Sequence, residues 1–294
     1  MQSNRYEITV VRYATTTLLR SRLFLNDFLN EVADESRGLD YYFWIVRNDE
    51  RTILIDTGFA AEVGARRGRE VLIDPLDAMQ ALGVDLDAEL DIVVTHMHYD
   101  HIGNVDAFPR SHITLARSEF DFWTGPIAGR SQFAHLRETT EVHAIARAHD
   151  DGRVSLIDGD TDLYPGIRLL LVGGHTPGQL MVLVESESGP ILVTSDAVHY
   201  EEELSLGRPF IYMDHLSASY AAYDRISEIT AETSGARILL GHDPAALAQI
   251  PHAAHPLLPD HASVIGGNVL DDIEGREARM IDGGRHDNGE EKHE

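Results

Sequence analysis

The chain has 294 residues, no cysteine, and 49 acidic against 24 basic side chains, for a formal charge of −25. Without cysteine there are no disulfides, thiolate nucleophiles, Cys-type zinc sites or iron–sulfur clusters. The lone lysine, Lys292, lies in an acidic stretch, which removes Schiff-base and phosphate-loop lysine chemistry. So acidic a surface repels phosphate backbones and anionic lipids, and neither nucleic acid nor a membrane is expected as partner.

Eight short apolar runs with β-branched content predict strands at 7–14, 41–46, 52–58, 90–96, 111–116, 167–175, 190–196 and 236–242. Between them, 75–83 reads as a helix closed by glycine, 116–122 as a short helix, and 217–233 as a longer helix with a serine N-cap. Residues 251–259 read as an irregular surface segment. No composition shift or fixed-period repeat divides the chain. A single domain is expected over 1–283, followed by a disordered acidic tail at 284–294. The N-terminal stretch lacks the apolar run of a signal peptide and no segment approaches membrane-spanning length, so a cytoplasmic location is expected.

Sixteen histidines direct attention to Thr95-His96-Met97-His98-Tyr99-Asp100-His101-Ile102-Gly103. This segment leaves the apolar run 90–94 and packs four candidate ligands into six residues. Side chains two apart in extended chain share a side, so His96 and His98 can meet one ion. Asp100 and His101 follow in the turn and can reach a second. Imidazole and carboxylate suit zinc first, with iron, manganese and cobalt as alternatives. Three other predicted strands end in a candidate ligand: His175, Asp196 and His242. Ligands at several strand ends can converge at one sheet edge.

These motifs resemble the metallo-β-lactamase superfamily, whose pattern is His-x-His-x-Asp-His followed by separate His, Asp and His. Gly174-His175-Thr176-Pro177-Gly178, Ser195-Asp196-Ala197, Gly241-His242-Asp243 and Ile53-Leu54-Ile55-Asp56-Thr57-Gly58 match its other motifs, over roughly residues 40–245. Within it the chain is most similar to the N-acyl homoserine lactonase branch. The resemblance implies an α/β fold, a four-layer αβ/βα sandwich of two mixed sheets flanked by helices. It places His96, His98 and His175 on one divalent ion and Asp100, His101 and His242 on a second. Asp196 bridges the two, and Asp56 supports the site. It further implies hydrolysis of a small lactone or ester, quorum quenching among the roles, and leaves the oligomeric state open, a homodimer being compatible. Asp100 is then a candidate proton carrier for the leaving oxygen. The branch places a tyrosine three residues after the bridging aspartate, against the substrate carbonyl. Here that position holds His199, with Tyr200 next, and both are candidate hydrogen-bond donors.

A thioester hydrolase of the glyoxalase II type has the same ligand pattern but adds a basic C-terminal region, whereas residues 271–294 carry nine acids against four bases. The charge disfavours a nuclease of this fold. A flavodiiron protein would need glutamate where His98 stands. A non-catalytic metal-binding or sensor protein is the reading from a different functional class.

Overall fold

The computed structural model describes residues 4–30, 32–233 and 235–266; the expected tail at 284–294 lies outside them. In chain order the strands and helices begin with β1 (Glu7–Leu19), β2 (Ser36–Arg47), β3 (Thr52–Ile55), α1 (Ala61–Arg67), β4 (Glu70–Val71), α2 (Pro75–Ala81), β5 (Asp91–Val93) and α3 (Tyr99–Ile102). They continue with β6 (His112–Ala116), α4 (Arg117–Thr124), α5 (Ser131–Ala134), α6 (Thr139–Asp150), β7 (Val154–Ile157), β8 (Thr161–Tyr164) and β9 (Ile167–Leu171). The last are β10 (Leu180–Ser186), β11 (Gly189–Ser195), α7 (Glu201–Leu206), α8 (Leu216–Glu232), β12 (Arg237–Leu240), β13 (Ala253–Ala254) and β14 (Ala262–Ile265).

The strands form two mixed sheets. The larger runs β13-β14-β1-β2-β3-β5-β6-β7, with β4 also on β1; the smaller runs β12-β11-β10-β9-β8. Strands β3, β5, β6 and β7 are parallel, as are β11 and β12, while the β1–β2 and β9–β10–β11 pairings are antiparallel. Alternation along β2 sorts the core. Tyr42, Trp44 and Val46 face the smaller sheet's Val182, Val184 and Ile191 cluster, and Tyr41, Phe43 and Ile45 join the cluster holding Met79, Ile102 and Ile145 of the helices. Helix α8 closes the far side with Tyr223, Ile226 and Ile229. The layering is the αβ/βα sandwich expected.

All eight apolar runs are strands. Five of the six remaining strands are only two to four residues long. Strand β10, the centre of the smaller sheet, carries a legible run, Met181-Val182-Leu183-Val184, that belongs with the eight. Helix α2 begins on Asp74, whose carboxylate accepts from Leu76 N and Asp77 N, a cap contributing about 1 kcal/mol. The serine cap expected for 217–233 is replaced. The helix starts one residue earlier, and His215 Nδ1 accepts from Ala218 N at 3.2 Å. The expected irregular segment 251–259 contains β13, which pairs with β14. Among the described residues no helix is long and apolar enough to cross a membrane.

Helix α6 buries Glu141 in its first turn, with Oε2 lacking a hydrogen-bond partner. Burial, with repulsion from Glu138, pushes its pKa up to about 8. Below the ordinary glutamate pKa both the folded and unfolded chains hold this proton, and Glu141 contributes no pH dependence. Above it the unfolded chain releases the proton while the folded chain keeps it until about pH 8. Stability must therefore fall across that window as pH rises. Glu141→Gln should be more stable than the parent at pH 7.5, by about 1–3 kcal/mol. The difference should vanish toward pH 4.5 in urea unfolding of both proteins. Equal pH slopes would refute the assignment.

Candidate metal centre

The ligand-bearing segments all leave strands at their C-terminal ends. Asp56 follows β3, and Thr95 to His101 follow β5 and enter α3. His175 follows β9, Asp196 follows β11 and His242 follows β12. Two of these exits use left-handed backbone at non-glycine residues, Asp56 at φ 61° and Ser195 at φ 45°. Such strain, on the order of 1–2 kcal/mol each, persists only where surrounding contacts dictate it. Gly241 is required by close approach, because a Cβ there would collide with the Ser195 carbonyl. Gly174, at φ +90°, leaves room for Ser219 against its backbone.

The seven side chains read from the sequence come together. His98 Nδ1 lies 3.0 Å from both His96 Nε2 and His175 Nε2. Asp196 Oδ2 is 3.7 Å from His96 Nε2 and 3.4 Å from His175 Nε2. Its other oxygen, Oδ1, is 3.3 Å from His101 Nε2 and 3.1 Å from His242 Nε2. Asp100 Oδ2 stands 3.8 Å from each of those two nitrogens. The donors fall into sets that could each hold an ion: His96, His98, His175 and Asp196; Asp100, His101 and His242; and Asp196, His199 and His242.

Outer contacts fix the protons. His101 Nδ1 donates to Asp56 Oδ2 at 2.7 Å, His242 Nδ1 to Asp40 O at 2.6 Å, and His175 Nδ1 to Tyr212 O at 2.9 Å. Thr95 Oγ1 commits its own proton to Asp56 Oδ2 at 2.7 Å and can accept from His96 Nδ1 at 3.2 Å. Each of these rings therefore turns its Nε2 inward, bare in the neutral form. Burial pushes His96 and His98 well below the usual histidine range and His175 to about 3, so all three are neutral, the form that binds cations. Burial also opposes charge on His101, but Asp196, Asp56 and Asp100 outweigh it and raise its pKa, so a cation at its Nε2 must displace a second proton. Burial would raise Asp196, yet His242, His101 and His199 keep it well below the carboxylate range. His98 Nδ1 carries at most one proton for two Nε2 atoms that each lie 3.0 Å away, a crowding that a cation among the three nitrogens would relieve. His101 Nε2 and Asp196 Oδ1 are buried with no hydrogen-bond partner. The residues fit a pair of divalent cations.

Comparison with known proteins agrees with this geometry: residues 37–252 match the metallo-β-lactamase superfamily. The chain belongs to that superfamily. Among relatives, an N-acyl homoserine lactonase of Bacillus sp. is 26% identical over 224 residues, covering 71% of this chain and 83% of that protein. An N-acyl homoserine lactonase AttM of Rhizobium johnstonii is 27% identical over 239 residues, covering 72% and 87%. Among solved structures, a quorum-quenching N-acyl homoserine lactone lactonase aligns with TM-score 0.69 at 21% identity, covering 83% of this chain and 95% of that one. A hydrolase AbOPH aligns at 0.65 and 18%, covering 91% and 96%.

Geometry separates the two remaining candidates. His199 Nε2 lies 3.2 Å from Asp196 Oδ2, its ring stacks on Phe210 at 3.7 Å, and it lines the cavity above the cluster. Burial opposes its charge, but Asp196 and Glu203 prevail and raise its pKa to about 9. Tyr200 points elsewhere: its hydroxyl donates to Gly38 O at 2.8 Å, its ring packs on Phe24, and it does not line the cavity.

Two supports escape a sequence reading. Buried Glu119 accepts from Met97 N, Trp123 Nε1 and Gly178 N, tying the loop after β5 to the one after β9. Thr95 bridges Asp56, His96 and Ser195. Nothing in either residue's local pattern signals this. Asp56 is expected to act through His101: Asp56→Asn should weaken metal affinity about 10–100-fold, measured by chelator competition. Unchanged affinity would reduce Asp56 to a turn residue.

Proposed function

We propose that this protein is a metal-dependent hydrolase that opens the ring of N-acyl homoserine lactone or a related small lactone. His96, His98 and His175 would hold one divalent cation, Asp100, His101 and His242 a second, and Asp196 both, zinc being the first choice of metal. The observation that carries the reading is the set of inward-facing Nε2 atoms on His96, His101, His175 and His242, each ring fixed through its Nδ1, beneath a cavity of about 410 Å³. Such cations, when bound, lower the pKa of water and polarise a carbonyl. The relatives named above support a lactone. So does a neighbouring structure of an N-acyl homoserine lactone hydrolase, described with N-hexanoyl-L-homoserine at its catalytic metal centre and aligned at TM-score 0.69 and 20% identity.

The chain's own residues then divide the work. Asp56, Asp40 O, Tyr212 O and Thr95 keep four imidazoles from rotating, so no reorganisation is needed as charge develops. Leu18, Leu39, Tyr41 and Phe210 give the cavity an apolar wall for the ring or acyl chain. His199, braced by Phe210, donates a hydrogen bond to the substrate carbonyl. Asp100, at the cavity floor, passes a proton to the departing ring oxygen. The acyl C–O bond breaks, water supplies the hydroxyl and the proton, and the product is a hydroxy acid.

The test is a panel of acyl homoserine lactones, simple γ- and δ-lactones and thioesters, assayed after reconstitution with zinc, manganese or iron. Lactone turnover supports the reading. Bound metal without turnover on any member would make the protein a metal-binding or sensor protein. His96→Ala should lose metal and at least about a thousandfold in kcat/KM. His199→Phe should keep its metal and lose about a hundredfold in kcat, followed by elemental analysis alongside kinetics. Metal loss in His199→Phe would place His199 in the ligand set.

A further inference from the structure

The cavity above the cluster has its two aspartates, Asp100 and Asp196, in the metal-ligand cluster and three arginines elsewhere in its lining. Arg22, Arg67 and Arg69 all line it, although acidic residues outnumber basic ones 49 to 24. Arg67 is committed: it bonds Glu138 Oε1, His135 O and Arg137 O and lies 3.9 Å over the Tyr99 ring. Arg22 and Arg69 have no carboxylate partner among the described residues. Most arginines here do have one, including Arg12, Arg20, Arg37, Arg66, Arg110 and Arg117.

Arg69 is the more telling of the two because it is half-buried. The polar contact of its guanidinium is a long one, Nε to the Tyr99 hydroxyl at 3.4 Å, and its charged end stands 5.9 Å from the Tyr41 ring. That leaves both Nη groups without a protein acceptor among the described residues. A half-desolvated cation with unused donors is unfavourable unless something in the functional state supplies an anion. Its mounting is firm. Gly68 caps α1 in the left-handed conformation, Arg69 N donates to Gly64 O, and β4 follows at once on β1. Asp100 lines the same cavity but forms no ion pair with the guanidinium.

Resting on the hydrolase reading above, we propose that the substrate carries a carboxylate remote from the bond that breaks, bound by Arg69 with Arg22 at the exposed edge of the cavity. A guanidinium presents two parallel N–H donors that match a carboxylate. One half-buried cation balances a monoanion better than a phosphate dianion. The arginines also supply local attraction that an acidic surface otherwise denies to an anionic substrate.

The test compares N-butanoyl with N-succinyl homoserine lactone, equal in chain length and differing by a terminal carboxylate. Turnover is measured on the metal-loaded protein. Binding of the corresponding lactams, with ring oxygen replaced by NH, is measured in parallel by calorimetry. The carboxylated member should be favoured at least about tenfold in kcat/KM and in Kd, and the advantage should shrink as salt rises. Arg69→Gln should bring the ratio close to one, and Arg69→Lys should restore part of it. No preference, or the same preference in Arg69→Gln, would overturn the proposal. An Arg69-dependent preference in lactam binding with neither lactone opened would refute the lactonase reading and leave the anion site standing.

Discussion

Seven ionisable side chains meet in the interior of this protein, and none can be there at low cost alone. Buried imidazoles lose hydration, and buried carboxylates lose more. The arrangement holds because the outward nitrogens of His96, His101, His175 and His242 are tied to Thr95, Asp56, Tyr212 O and Asp40 O, and because Asp196 lies among five histidines. The desolvation is offset by pairing. What remains unpaired points to one place, and those unmet donors are what fit the site to cations.

The two sheets exist, in functional terms, to bring five strand ends to that place. Parallel strands deliver their C-termini to one edge, so β3 and β5 of the larger sheet and β11 and β12 of the smaller one point their exits toward each other. Backbone strain at Asp56 and Ser195 redirects the chain where a relaxed turn would carry the ligand past its target. Glu119 then stitches two of the loops, with its carboxylate shared by Met97, Trp123 and Gly178. Rigidity at the centre comes from this outer ring of contacts rather than from the donor atoms themselves.

Much of this was legible from residues. The run from His96 to His101 announces itself because its donors are neighbours in the chain, and His175, Asp196 and His242 because each closes an apolar strand. The supports were not legible, since an acceptor such as the Asp40 carbonyl has no side-chain signature. Nor could sequence choose between His199 and Tyr200. Adjacent residues in extended backbone face opposite sides, and only the fold shows that Tyr200 reaches Gly38, 162 positions away, while His199 faces Asp196. The twelve-residue helix α6 escaped notice because histidine, arginine and glutamate interrupt its apolar stripe.

Trp123 sets its indole edge-on to the His98 ring, with centroids 5.1 Å apart, and anchors its nitrogen on Glu119. The chain has one other tryptophan, Trp44, fully buried between the sheets. Indole emission responds to the charge and electronic state of a ring it touches, so one fluorophore sits beside the donors while its counterpart is insulated from them. The molecule thus carries a built-in optical gauge of whatever occupies the His98 side, with an internal reference in the same chain.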